Sequence, residues 1–185
     1  MSLESDVAAV LRNEPAGRIS YSLGNIPIDR SQMEFVAKAI ETGDISVSVK
    51  NTGGLDAAYS SFKGRRQEAG QKKLIGEIAL RNAYVVNHSI GKAGVFHESV
   101  HALVDVRSRI ISVRNGDEAL AYIADAMYLK ATNTNVSSDP KGKAIYDAAF
   151  ALISQRKMLT RRGVALKWSD VSDLLDAINA HPAYQ

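Results

Sequence analysis

The stretch "VFHESVHALVDV", residues 95–106, sets two histidines four apart with a glutamate directly after the first. The surrounding pattern predicts a helix from about Ser89 or Ile90 to Arg107. Residues four apart on an α-helix stand one above the other, so His97 and His101 aim both imidazoles at a common point about 2.0–2.1 Å away, the usual zinc–nitrogen distance. Glu98 is rotated by about 100° from His97, as one residue's advance requires, and lies beside that point rather than on it. A glutamate so placed can hold a water against an ion. Bound zinc lowers the pKa of water to about 7, and a nearby carboxylate can take the proton and later hand it to a leaving amine. The pattern H-E-x-x-H is therefore read as two metal ligands plus a general base. A chain with four histidines and eight glutamates rarely produces it by chance. The alternative, two imidazoles and an acid partly buried on one helix without a metal, is costly.

Two histidines and a water leave zinc one protein ligand short, because a hydrolytic site normally supplies three. Downstream, "NGDEALAYIAD" (115–125) opens a second helix and puts Glu118 seventeen residues after His101, enough chain for an antiparallel return. Glu118 is the first candidate for the third ligand. Asp117 is adjacent but turned aside, and Asp125 lies two turns deeper on nearly the same face; both remain rivals.

"HESVH" followed by a helix opening "DEALAYIAD" resembles the zincin metallopeptidases, specifically the gluzincin branch, over about thirty residues from Phe96 to Asp125. The resemblance implies a helix bearing the active site, a small sheet whose edge strand can pair with an extended peptide or protein substrate, and a glutamate ligand on the next helix. It carries His97, His101 and Glu118 over as zinc ligands and Glu98 as the base. The third histidine and glycine of the metzincin pattern are absent, since "ALVDVRSRII" follows His101. With 185 residues the chain is too small for a two-lobed cleft, which implies one minimal catalytic domain spanning residues 1–185.

Composition agrees with one ordinary core: 45% of the residues are hydrophobic and 23% charged. The chain has no cysteine, so any metal site must be built from histidine, carboxylate and water. "MSLESDVAAVL" at the start has acids and no basic lead into an apolar run, and no apolar stretch approaches the roughly 20 residues needed to cross a bilayer. The expectation is a cytoplasmic protein with no membrane partner. Net charge is only +3. Two basic clusters, "KGRRQEAGQKK" (63–73) and "QRKMLTRRGVALK" (155–167), could touch phosphates but lack interleaved aromatic rings, so nucleic-acid binding is the lesser reading. The alternative to an enzyme is a zincin-like module that binds protein or nucleic acid without catalysis.

Outward from the central helix, the expected class is α+β, mainly helical, with a small antiparallel sheet beside the active-site helix. A short helix is expected from about Ser5 to Leu11, and "GNIPID" (24–29) is expected as a turn or extended link. A helix over 31–43 has Ser31 as N-cap and Gly43 as stop. "DISVSVK" (44–50) alternates like a half-buried strand. "KLIGEIALRNAYVV" (73–86) reads as a second strand region, with a hairpin turn near Asn82. Further helices are expected over 115–132, from Asp139 (N-cap) and Pro140 (N1) to about Lys157, and over Ser169 to Ala180.

Around the central motif, Asp105 stands four after His101 and is read equally as orienting that imidazole or as a surface carboxylate near Arg107 and Arg109. A donor that polarises a scissile carbonyl is also required. His88, Tyr122, Tyr128 and Tyr146 qualify by residue type alone. His181 is expected in a frayed tail, and Trp168 with Leu166 is expected to pack the last helix onto the core.

Overall fold

A computed structural model describes residues 2–62, 74–136 and 140–185. Helix α1 (Leu3–Arg12) starts on Ser2, whose hydroxyl accepts from the Ser5 amide, and buries Val7, Ala8, Val10 and Leu11. A one-turn helix α2 (Glu14–Gly17) follows. The hairpin β1 (Tyr21–Leu23) and β2 (Ile26–Ile28) comes next, with Ile26 and Ile28 buried. "GNIPID" is thus half turn and half strand, because two inward isoleucines flanking Pro27 suit the edge of a sheet.

Helix α3 (Arg30–Glu41) is capped by Asp29 instead of Ser31. The Asp29 carboxylate accepts from the amides of Ser31 (2.8 Å) and Gln32 (3.0 Å), and the Ser31 hydroxyl itself donates to it at 2.7 Å. A charged acceptor facing two orphan amides outcompetes a hydroxyl. Gly43, at φ 71°, ends the helix in the left-handed region as expected. Arg12 of α1 joins Glu34 and Glu41 of α3, tying the two helices together.

The second sheet has the order β3 (Ile45–Val49), β5 (Gly76–Leu80), β4 (Ala57–Ser61). It is mixed: β3 pairs parallel with β5, and β4 pairs antiparallel with it. No hairpin forms at Asn82. Its side chain accepts from the Tyr84 amide at 2.9 Å and opens a 3-10 turn (Ala83–Asn87) that runs straight into the central helix. A short polar side chain that captures the backbone donor two residues on favours a turn over a ladder.

Helix α4 (Ser89–Val106) is capped by His88, whose Nδ1 accepts from the Gly91 amide at 3.0 Å. Gly91 is required by close approach, since a Cβ there would lie 2.2 Å from the Val85 carbonyl oxygen. Helix α5 (Gly116–Ala131) packs along α4, while β4, β5 and α3 take its other sides. Phe96, Val100 and Leu103 of α4 meet a continuous core with Leu120, Ile123, Ala124 and Met127 of α5. Each of these side chains larger than alanine contributes about 1.5–3 kcal/mol on burial, which fixes the mutual rotation of the two helices.

Helix α6 (Pro140–Gln155) ends just before Lys157, which takes φ 52°. Its expected cap, Asp139, lies outside the described residues, as does the basic cluster 63–73. Strand β6 (Val164–Leu166) adds in parallel to β1 and completes the first sheet, β2-β1-β6. Trp168 opens a 3-10 turn (Trp168–Val171) that precedes α7 (Ser172–Ala180), and the chain closes with a further 3-10 turn, Pro182–Tyr184. The molecule is α+β and mainly helical. Among the described residues no helix is long and apolar enough to cross a membrane.

Candidate metal centre

The two imidazoles project from successive turns of α4, with His97 buried at 8% exposure and His101 half-buried. Their Nε2 atoms lie 3.3 Å apart. Glu118, in the first turn of α5, closes the triangle: Oε2 is 3.5 Å from His97 Nε2 and Oε1 is 3.6 Å from His101 Nε2. Three ligand atoms held tetrahedrally at about 2.0–2.1 Å from one ion are about 3.3–3.4 Å from each other, so this triangle fits a first-row divalent metal with little movement. These three residues form a group able to hold an ion.

The rival acids sit elsewhere. Asp117 Oδ2 is 3.7 Å from His101 Nδ1, and Asp125 Oδ2 is 3.9 Å from His97 Nδ1. Each therefore lies behind an imidazole, on the side away from Nε2. The contacts also run in opposite order along the two helices, His97 with Asp125 and His101 with Asp117, which makes α4 and α5 antiparallel. This is the return of the chain expected from the spacing. A carboxylate near the second ring nitrogen biases the tautomer toward a proton on Nδ1 and a lone pair on Nε2. Asp125, in turn, accepts from the Tyr146 hydroxyl at 2.6 Å.

Electrostatics point the same way. Burial alone would lower the His97 pKa, but contact with Glu118 and the charges of Glu98 and Asp125 outweigh it and lift it to about 9. Burial and the neighbouring His97 push His101 down. Burial opposes the charge of Glu118, yet both imidazoles and the Tyr184 hydroxyl hold its carboxyl below the usual range. Burial raises Asp125 to about 6 against the pull of His97 and Tyr146. Four carboxylates thus surround two imidazoles in a partly buried space that calls for positive charge. Glu118 Oε2 is buried and has no hydrogen-bond partner among the described residues, an arrangement that costs free energy unless a cation meets it. The donor set, two nitrogens and a carboxylate, is one that zinc accepts.

Glu98 is anchored from the sheet. Its Oε2 accepts from the Tyr59 amide of β4 at 2.7 Å. Asp56 and Phe62 bond to β5 through Arg81 and Ile75, so the alternate residues 57, 59 and 61 turn their backbone groups to the outer edge of β4. Among the described residues no strand pairs with that edge. Asp105 accepts from the Tyr59 hydroxyl at 3.0 Å, and the carboxylate beside His101 Nδ1 is Asp117.

Of the tyrosines proposed by type, Tyr122 sets its ring edge against His97, with centroids 4.8 Å apart at 81°. Tyr146 is committed to Asp125, and the Tyr128 hydroxyl accepts from Asn13 at 2.6 Å. His88 serves as a helix cap. Two residues at the site escaped the sequence reading. Tyr59 lies on β4, whose segment "AAYSS" has no strand signature. Tyr184 sits on the closing turn, far along the chain, with its hydroxyl 2.8 Å from that of Tyr122. The tail is docked rather than frayed: His181 Nδ1 accepts from the Ala183 amide at 3.2 Å, and the Tyr184 carbonyl accepts from Arg114 and Asn115, each at 3.5 Å.

In comparisons with known proteins no family model matches the chain, and neither a curated protein nor a solved structure does.

Proposed function

We propose that the protein is a zinc-dependent hydrolase of the zincin kind, with peptides or proteins as substrates. His97, His101 and Glu118 would hold the ion and Glu98 would act as general base. The observation that carries the reading is the triangle of two imidazole nitrogens and one carboxylate with sides of 3.3, 3.5 and 3.6 Å. A bound zinc supplies an acidified water and a positive charge beside the carbonyl oxygen. Glu98 would take one proton from a water as its oxygen bonds to the carbonyl carbon and the carbonyl π pair moves onto oxygen. Glu98 then delivers the proton to the amide nitrogen as the carbon–nitrogen bond breaks, leaving an acid and an amine. A peptide as substrate is what the zincin resemblance implies, with β4 the strand that lies beside the Glu98 carboxylate.

Metal content of the purified protein tests the site. Wild type should take up about one zinc per chain, and His97→Ala and His101→Ala should each lose it. Glu98→Gln should keep the zinc and lose cleavage of an unstructured peptide mixture, read by mass spectrometry, by at least about a hundredfold. A Glu98→Gln variant as active as wild type would falsify the mechanism.

A further inference from the structure

A carboxylate that takes a proton from a reacting water is only as well placed as whatever holds it, and a displacement of about 1 Å can cost about a hundredfold in rate. Glu98 is tied by one hydrogen bond, from the Tyr59 amide to its Oε2 at 2.7 Å. The tie comes from β4, which among the described residues has a strand partner on one side only. How firmly β4 sits on α4 therefore decides how firmly Glu98 is held.

Helix α4 grips the same residue of β4 twice. Glu98 and Asp105 are seven residues apart, two turns of helix and about 10 Å along one face. Glu98 takes the backbone N–H of Tyr59, and Asp105 Oδ2 accepts from the phenolic hydroxyl of that residue at 3.0 Å. Burial and the charge of Asp105 both push the Tyr59 phenol up, so it stays protonated as the donor. A hydrogen bond to an ionised acceptor is roughly twice as strong as a neutral one. The sheet makes room for this contact. Ser61 of β4 pairs with Gly76 of β5, and the Tyr59 ring leans diagonally across β5 to that glycine, where a Cβ would lie 2.2 Å from the hydroxyl oxygen. Asp105 is not the acid behind His101, a place taken by Asp117 at 3.7 Å from Nδ1.

We infer that Asp105, acting through the Tyr59 hydroxyl, is a positioning residue for the proton acceptor Glu98; this rests on the hydrolase reading above. Neither Asp105 nor the phenol touches the substrate or exchanges a proton with it. Their hydrogen bond holds β4 against α4 at the residue whose amide fixes the carboxylate.

The test uses the zinc-loaded protein and the peptide that wild type cleaves fastest from an unstructured mixture. Tyr59→Phe and Asp105→Leu should each lower kcat by about tenfold with KM and zinc content unchanged. Asp105→Asn, which keeps an acceptor oxygen, should retain most of the wild-type kcat. In a Glu98→Gln background, adding Tyr59→Phe should lower the residual rate no further, because no base is left to position. A wild-type kcat in Tyr59→Phe, or a further tenfold loss in the Glu98→Gln background, overturns the role. If Tyr59→Phe loses zinc or fails to fold, the Asp105 pair decides: a lower kcat in Asp105→Leu than in Asp105→Asn supports the role, and equal values overturn it. A zinc-loaded wild type that cleaves nothing overturns the hydrolase reading, and this role with it.

Discussion

At the scale of single residues, proton and metal compete for the same atoms. His97 in the metal-free protein has a pKa of about 9, so at neutral pH its ring carries a proton that zinc must displace. Zinc affinity measured by chelator competition should therefore rise by about tenfold per pH unit between pH 7 and 9 and level off above that. The stability of the metal-free chain should move in the opposite direction. A histidine whose folded pKa is raised above the ordinary imidazole value of about 6.5 contributes stability that is fully present below that value and is lost as pH climbs toward about 9. His101 and Asp125 titrate below this window and do not reverse the sign there. Chemical denaturation of the metal-free protein at several pH values between 6.5 and 9 would show the decline, and a flat profile would contradict it.

At the scale of elements, the site is a product of two helix starts. His88 and Gly91 fix where α4 begins, and so which way His97 and His101 face. Asn115, in the left-handed region at φ 53°, starts α5 one turn ahead of Glu118. Gly91→Ala would push a methyl group to within 2.2 Å of a backbone oxygen, and overpacking against backbone costs about 1–3 kcal/mol. A fall in Tm of roughly 3–10 °C, measured by thermal unfolding, is expected for a chain of this length. Helices α3, α4 and α5 were legible because amphipathic spacing and caps act locally, and strand β3 because alternation does too. Strands β4 and β6 were not, since "AAYSS" and "VAL" become strands only through the partners β5 and β1 supply. Spacing predicted that Glu118 could return to the histidines. It put Glu118 first but left Asp117 and Asp125 as rivals, because the final choice depends on the rotation of α5 against α4, which core packing sets. Tyr184 lies 66 residues beyond Glu118 in sequence, and no local pattern links the two.

At the scale of the molecule, the ligand triangle bridges α4 and α5. An ion there would pin α4 to α5, and anything that binds only the folded state stabilises it by mass action. Zinc at a hundred times its dissociation constant should stabilise the protein by about 2.7 kcal/mol. For a chain of this size that is roughly 5–11 °C in Tm, reversed by a chelator and absent from His97→Ala.

The amide of Tyr59 reaches Glu98 only because β4 pairs with β5 in the alignment Tyr59↔Ile78. Antiparallel ladders repeat every two residues, so a slip by one would turn that N–H inward and leave the carboxylate untethered. Shortening or lengthening β4 by a single residue would thus strike at proton abstraction while leaving every ligand atom where it stands.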